Sequence, residues 1–147
     1  MDYLIGISIF LISVIFVFSY TVGLFTPFQS NSDEVTLIAD KISTNVVEQT
    51  LSAQQPGTTN LLNGTKVENF FTEFNTDYQG IVNHLGLNGT YLRHDLNITL
   101  ENNTATIYSS GKVLPSTGNI GQTKRIVLLR DENTGDTSLA TLSLRVW

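Results

Sequence analysis

Hydrophobic and polar positions divide the chain into two parts of different character. Residues Tyr3–Gln29 carry no charged side chain and are apolar at most positions. At about 1.5 Å of rise per residue, a helix over Tyr3–Phe25 would be long enough to cross a hydrocarbon layer of about 30 Å. A helix that is apolar on every side has to be buried on every side. The pattern therefore predicts an N-terminal helix that is covered either by lipid or by other copies of itself.

A helical pattern continues beyond this apolar segment but becomes amphipathic. Val35, Ile38, Ile42 and Val46 recur at helical spacing. We therefore expect one long hydrophobic helix over residues 1–53, of which 1–28 form the assembly or membrane segment, and a globular extracellular head over residues 54–147. Pro27 removes one helical hydrogen bond and crowds the carbonyl of Gly23, so the sequence predicts a kink between Gly23 and Pro27.

The head alternates between helical and strand patterns. Apolar residues fall on one helical face in the segment that follows a polar linker: Val67, Phe70, Phe71 and Phe74. From Tyr91 onward the apolar period changes to two, as in Leu96, Ile98 and Leu100. The head is therefore expected to be α+β, with about four antiparallel strands and helices on one side. The alternative is an immunoglobulin-like β-sandwich, which would require the Phe70 region to be a strand.

The composition of the chain limits the kinds of partner and site that it can have. The 13 acidic and 8 basic residues give a net charge of −5, without a basic patch that would favour nucleic acid as a partner. The absence of cysteine excludes disulfides and thiolate metal sites. His84 and His94 lack the spacing of a zinc site, and no nucleophile motif or phosphate loop is present. We therefore expect no catalytic, cofactor-binding or metal residues and no enzyme.

The N-terminus lacks the basic residues that normally flank a membrane segment on its cytoplasmic side. Removal of a short basic leader before the apolar helix would explain this. The opening Asp2–Phe10 resembles the start of mature haloarchaeal type IV pilin-like proteins, and Leu144–Trp147 is similar to the C-termini of some of them. The resemblance implies a structural subunit of an extracellular archaeal pilus-like filament with a role in adhesion. It also implies a prepilin peptidase and pilus assembly machinery as partners, and a membrane location before assembly.

Packing of the N-terminal helix against copies of itself would hold such a filament together. The residues expected on the assembly surface are Ile5, Ile9, Ile12, Phe16, Val17, Tyr20 and Leu24. Many pilins carry a glutamate at the fifth mature position, where this chain has Ile5. Asp2 is the nearby carboxylate that could take over pairing with the N-terminal amine of a neighbour.

Other functions fit parts of the same pattern. A cleaved secretory signal fits poorly, because the apolar segment is long and no basic residue precedes it. A single-helix membrane anchor that carries a surface binding protein fits the length of the apolar segment. A minor pilin that primes or caps a filament would share the same helix.

Four sequons for N-glycosylation follow the apolar segment, at Asn63, Asn88, Asn97 and Asn102. Three of them are predicted to lie in turns, and Asn97 is predicted to lie on the polar face of a strand. We therefore expect glycosylation of these asparagines outside the cell.

Overall fold

The computed structural model describes residues 2–25, 31–89 and 93–147, without the side chains of residues 2, 20, 22–25 and 31–33. It contains helices α1 (Asp2–Phe25), α2 (Asn31–Asn45), α3 (Gly64–Thr76) and α4 (Tyr78–His84). A π-helical segment, Val46–Thr50, follows α2 directly. The strands are β1 (Leu61–Asn63), β2 (Leu96–Glu101), β3 (Thr106–Gly111), β4 (Gly121–Arg130) and β5 (Thr137–Val146). The chain divides into two compact units, Met1–Ser30 and Asn31–Trp147, and we refer to the second as the head.

The five strands form one mixed sheet in the order β1-β4-β5-β2-β3. β4 and β5 pair antiparallel along their whole length, from Gly121 opposite Val146 to Arg130 opposite Thr137. β2 pairs antiparallel with both β5 and β3. β1 is parallel to the end of β4, with Leu61 beside Leu128. On its other side, β1 exchanges backbone hydrogen bonds with Leu51 and Ala53, so this short edge strand is flanked on both sides.

The hydrophobic core lies between one face of the sheet and the helices of the head. Alternate residues of β5, from Ala140 to Val146, are buried and face the same way as Leu96, Ile98 and Leu100 of β2. The helices contribute the apolar stripes that the sequence predicted in α2 and α3, including Val35, Ile42, Val46, Val67, Phe71 and Phe74. Burial of these side chains stabilises the fold by roughly 1.5–3 kcal/mol each.

A polar contact ties α2 to the sheet beside this core. The guanidinium of Arg125 on β4 donates to the hydroxyl of Ser43 at 2.9 Å and to the carboxylate of Asp40 at 3.0 Å, and it also contacts Thr44. The side chain of Arg125 is only 24% exposed, and Ser43 is completely buried. The contact gives the buried Ser43 hydroxyl a partner, which avoids the free-energy cost of an unpaired polar group.

The prediction of one long hydrophobic helix over the first third of the chain is wrong. α1 ends at Phe25 and α2 begins at Asn31. α1 comprises 24 residues, against the 53 of the predicted helix. The predicted kink was placed between Gly23, in the last turn of α1, and Pro27, which lies outside the described residues.

The expectation of a membrane-spanning helix over Tyr3–Phe25 is also corrected. Among the residues that the structure describes, no helix combines the length and the apolar character needed to cross a membrane.

The head is α+β, as the sequence predicted, but the prediction of about four antiparallel strands is wrong. The observed sheet has five strands and is mixed, because β1 pairs in parallel with β4 at one edge. The immunoglobulin-like alternative is wrong because Phe70 lies inside α3. The four apolar residues at spacing three and four pack as a helical stripe, which a strand would have split between its two faces.

Candidate assembly surface

The most unusual surface of the molecule is α1, whose large apolar side chains are exposed. Among the predicted assembly residues, five have described side chains, and these are between 59% and 72% exposed: Ile5, Ile9, Ile12, Phe16 and Val17. Residues between them are exposed as well, including Phe10 and Phe18, so the apolar surface continues around the helix. Contiguous apolar surface of this kind normally marks a site of association.

Other residues named for assembly cannot be placed in the same detail. Tyr20 and Leu24 belong to α1, but their side chains lie outside the described part of the chain. The same holds for the side chain of Asp2, the residue proposed for charge pairing. The assembly surface is therefore defined by the side chains between Tyr3 and Ser19, which we call the α1 surface.

Two hydroxyl groups within the α1 surface are satisfied by the helix itself. The hydroxyl of Ser8 donates to the carbonyl of Leu4 at 2.8 Å, and that of Ser13 donates to the carbonyl of Ile9 at 2.9 Å. Thr21 makes the same contact with Val17. Hydroxyls bonded within their own turn do not require a partner from another helix. The remaining exposed side chains of this surface are predominantly apolar.

Shallow grooves lie beside two of the small residues of α1. Tyr3, Ile7 and Phe10 surround Gly6, and Val14, Ile15 and Phe18 border Ser19. No atom lies within 4 Å of the position that a Cβ of Gly6 would occupy. Small residues allow close approach of a second helix in apolar packing. These grooves are suited to receive large side chains of a neighbouring α1.

A cleft in the head is lined by several acidic side chains and by Arg130. It lies between the start of α3 and the turn that joins β4 to β5, with a volume of about 470 Å³. Glu68, Asp131, Glu132 and Asp136 line it. Among the described residues, no group of three or more potential ligands is arranged to hold a metal ion, and this includes His84 and His94. The cleft thus offers acidic surface without a coordination site.

A polar network fastens α4 to β2. The hydroxyl of Tyr78 donates to the carboxylate of Asp95 and accepts from the backbone N–H of Leu96, both at 3.0 Å. Lys112 forms an ion pair with Asp95 at 2.7 Å, and its ammonium lies 5.5 Å from the centre of the Tyr78 ring. Burial is the main cause that raises the pKa of Tyr78 to about 12. The neutral phenol therefore acts as a structural connector.

The four sequon asparagines differ in how their side chains are engaged. Asn63 caps α3 by accepting from the N–H of Lys66 at 2.9 Å. Asn88 donates to Asn83 at 2.6 Å. Asn97 is half-buried, donates to the carbonyl of Lys112 at 3.1 Å and accepts from Arg145 at 3.2 Å. Asn102 is exposed in the turn between β2 and β3, where its carbonyl oxygen accepts from the backbone of Thr104 and Ala105. Asn102 presents its amide nitrogen from the most open position of these sites.

Residues outside the predicted set are also exposed and apolar. Ile126, Leu128 and Leu139 lie on the sheet, and Leu37 lies on α2. The alternation of apolar and polar residues along β4 and β5 could have identified Ile126, Leu128 and Leu139 as strand residues. It does not show which face of the sheet the helices cover.

Comparison with known proteins gives one family. A family model described as a family of unknown function (DUF7287) matches residues 1–147 of the chain. No curated protein and no solved structure matches this chain.

Proposed function

We propose that this chain, which belongs to the DUF7287 family, is a structural subunit of an extracellular filament that assembles by packing of α1 against α1 of other copies. The observation that supports this proposal most directly is the α1 surface, where large apolar side chains are exposed around the helix. Removing such surface from water is the main favourable term in protein association. A second copy of α1 would present the same apolar side chains and the same grooves.

The resemblance of Asp2–Phe10 to haloarchaeal type IV pilin-like proteins supports a filament as the form of this assembly. A subunit that contacts several equivalent neighbours through one helix can extend into a polymer. Adhesion at the cell surface is the role we propose for the filament. Because assembly itself is the proposed function, no residue is assigned a catalytic role.

A charged residue on the α1 surface tests this proposal. Ile9→Asp or Phe16→Asp would place a carboxylate without a partner in every helix contact, which costs several kcal/mol. We expect either variant to abolish filaments in electron microscopy of sheared surface material and to shift the chain to small species in sedimentation. Val113→Asp is the matched control, because Val113 is 92% exposed and lies outside α1.

Filaments of normal abundance from Ile9→Asp would contradict the proposal. A native chain that is found only as a monomer, with no polymer in any preparation, would also overturn it and would favour a surface binding protein.

A further inference from the structure

One face of the sheet in the head carries exposed apolar side chains. The helices of the head pack on the face formed by residues such as Val127 and Leu142, whereas Leu128 and Leu139 point to the opposite face as direct cross-strand partners. Ile126 lies on the same opposite face, two residues before Leu128. Ile126, Leu128 and Leu139 are 68%, 42% and 52% exposed, and we call these three residues the open-face patch. Adjacent apolar side chains that are exposed on a sheet face are typical of a contact surface.

Two basic residues flank the open-face patch along β4. Lys124 and Arg130 alternate with Ile126 and Leu128 along β4, so all four project to the same face. Arg145 lies on the same face of β5 as Leu139, six residues further along the strand. Glu101 of β2, beside Thr141, is the acidic residue on this face of the described strands. The open face therefore combines apolar contact with an excess of positive charge.

The helix side of the head has the opposite charge and its own exposed apolar residue. Leu37 lies on the outer side of α2 and is 71% exposed. Glu34 and Lys41 lie one turn before and after it, and we call these three residues the outer stripe of α2. Further exposed acidic side chains occur across the helices and the π-helical segment that follows α2: Asp40, Glu48, Glu68, Glu73 and Asp77. The outer stripe itself holds one acidic and one basic residue, and Asp40 is paired with Arg125, so the charge complementarity is between the two sides of the head as a whole.

We propose that the open-face patch of one copy binds the outer stripe of α2 on the next copy. This inference deepens the proposed filament function and rests on it, because it assigns a second contact between neighbouring subunits. Two different surfaces of one chain form a head-to-tail contact, which can repeat without closing. A symmetric contact between two open faces would bring like charges together, which opposes association. A second copy of this chain is thus the occupant that charge and apolar surface favour.

The chain has no cysteine, so single cysteines can report this contact in the full-length protein. Leu37→Cys is mixed with Ile126→Cys, Leu128→Cys or Leu139→Cys under mild oxidation. A disulfide requires the two Cα atoms to lie within about 7 Å, so it forms only where the surfaces meet. We expect at least one mixture to give a disulfide-linked dimer that joins the two variants, identified by non-reducing gel and mass spectrometry.

Controls separate this contact from random collision and from symmetric pairing. Val113→Cys is more exposed than any open-face residue, and its mixture with Leu37→Cys should yield at least tenfold less dimer. Dimers that form mainly within a single open-face variant would indicate sheet-to-sheet pairing and overturn the proposal. Absence of cross-links in all three mixtures would overturn it as well.

The same samples distinguish this inference from the proposed function. Filaments that form without any cross-link would contradict the contact but leave assembly through α1 intact. Cross-links in a chain that forms no filament would support the contact and contradict the filament.

Discussion

At the scale of single residues, the closest approach between α2 and the sheet depends on Gly121. A Cβ at this position would lie 2.6 Å from the backbone nitrogen of Thr36 and closer still to the carbonyl of Val35. These atoms belong to the helix backbone, so no side-chain rotation can relieve the overlap. The space at Gly121 therefore sets how near α2 can lie to β4.

We expect Gly121→Ala to lower the free energy of unfolding by about 1–3 kcal/mol, because the added methyl group pushes backbone against backbone. Chemical denaturation of the full chain measures this change. Gly6→Ala is the matched control, since a Cβ there meets no atom within 4 Å and alanine favours the helix. An unchanged stability of Gly121→Ala would show that α2 moves away from β4 without cost.

At the scale of elements, the network around Tyr78 connects α4, β2 and the segment after β3. The phenol accepts from the first N–H of β2 and donates to Asp95, while its ring stacks on Phe74 with the ring centres 5.6 Å apart. One side chain thus joins the helical layer to the sheet.

Tyr78→Phe is expected to lower the free energy of unfolding by about 1–3 kcal/mol at neutral pH, because it leaves the Leu96 N–H unpaired. The pKa of Tyr78 is raised from 10.0 to about 12 in the folded chain. Unfolding therefore releases the proton between these pH values, so the stabilisation is complete below pH 10 and is lost as the pH rises towards 12. The difference in the free energy of unfolding between wild type and Tyr78→Phe, measured by urea denaturation, should become smaller between pH 10 and pH 12.

The exposed Tyr3 provides the control for this measurement. Tyr3→Phe removes a hydroxyl from a side chain that is 80% exposed and should leave the free energy of unfolding unchanged. If the free energies of unfolding of wild type and Tyr78→Phe differ by the same amount from pH 9 to pH 12, this would contradict the assigned role of the phenol.

Local patterns in the sequence predicted the elements whose apolar period is regular. The stripe from Val67 to Phe74 is buried in α3, and the period of two over Leu96, Ile98 and Leu100 corresponds to β2. β1 escaped prediction because three residues show no period, and its place depends on Leu128, far along the chain. The N-cap of α3 is Asn63, which the sequence singled out only as a sequon.

The candidate site was predictable only in part, for a similar reason. A charge-free helix is visible directly in the sequence, so Ile9 and Phe16 could be named as assembly residues. Predicting the open-face patch requires knowing which face of the sheet the helices cover. This depends on contacts between distant segments, such as the one between Arg125 and Ser43.

At the scale of the whole molecule, the proposed subunit carries two kinds of contact surface. The α1 surface is apolar around the helix and suits packing among several equivalent helices. The open face of the sheet carries more basic than acidic residues and the helix side carries more acidic than basic ones, which favours one orientation between neighbours. Apolar burial would supply most of the affinity, and the charged contact would fix how successive heads are arranged.

An extracellular subunit of this kind is expected to carry a glycan at Asn102, in the exposed turn between β2 and β3. Intact-mass measurement of the chain from its native cells should exceed the polypeptide mass. Thr104→Ala removes the sequon and should abolish the added mass at this site, whereas Thr104→Ser keeps the sequon and should retain it. A native mass equal to that of the bare polypeptide would refute glycosylation.

The position of β5 within the sheet has a consequence for synthesis. β5 lies between β4 and β2, yet it follows every other strand in the sequence. While a ribosome is still translating residues 137–146, β2 and β4 have no common neighbour to pair with. The buried side chains of Ala140, Leu142, Leu144 and Val146 are therefore missing from the core until that strand has emerged. Protection of the nascent chain by a chaperone would matter most during this interval.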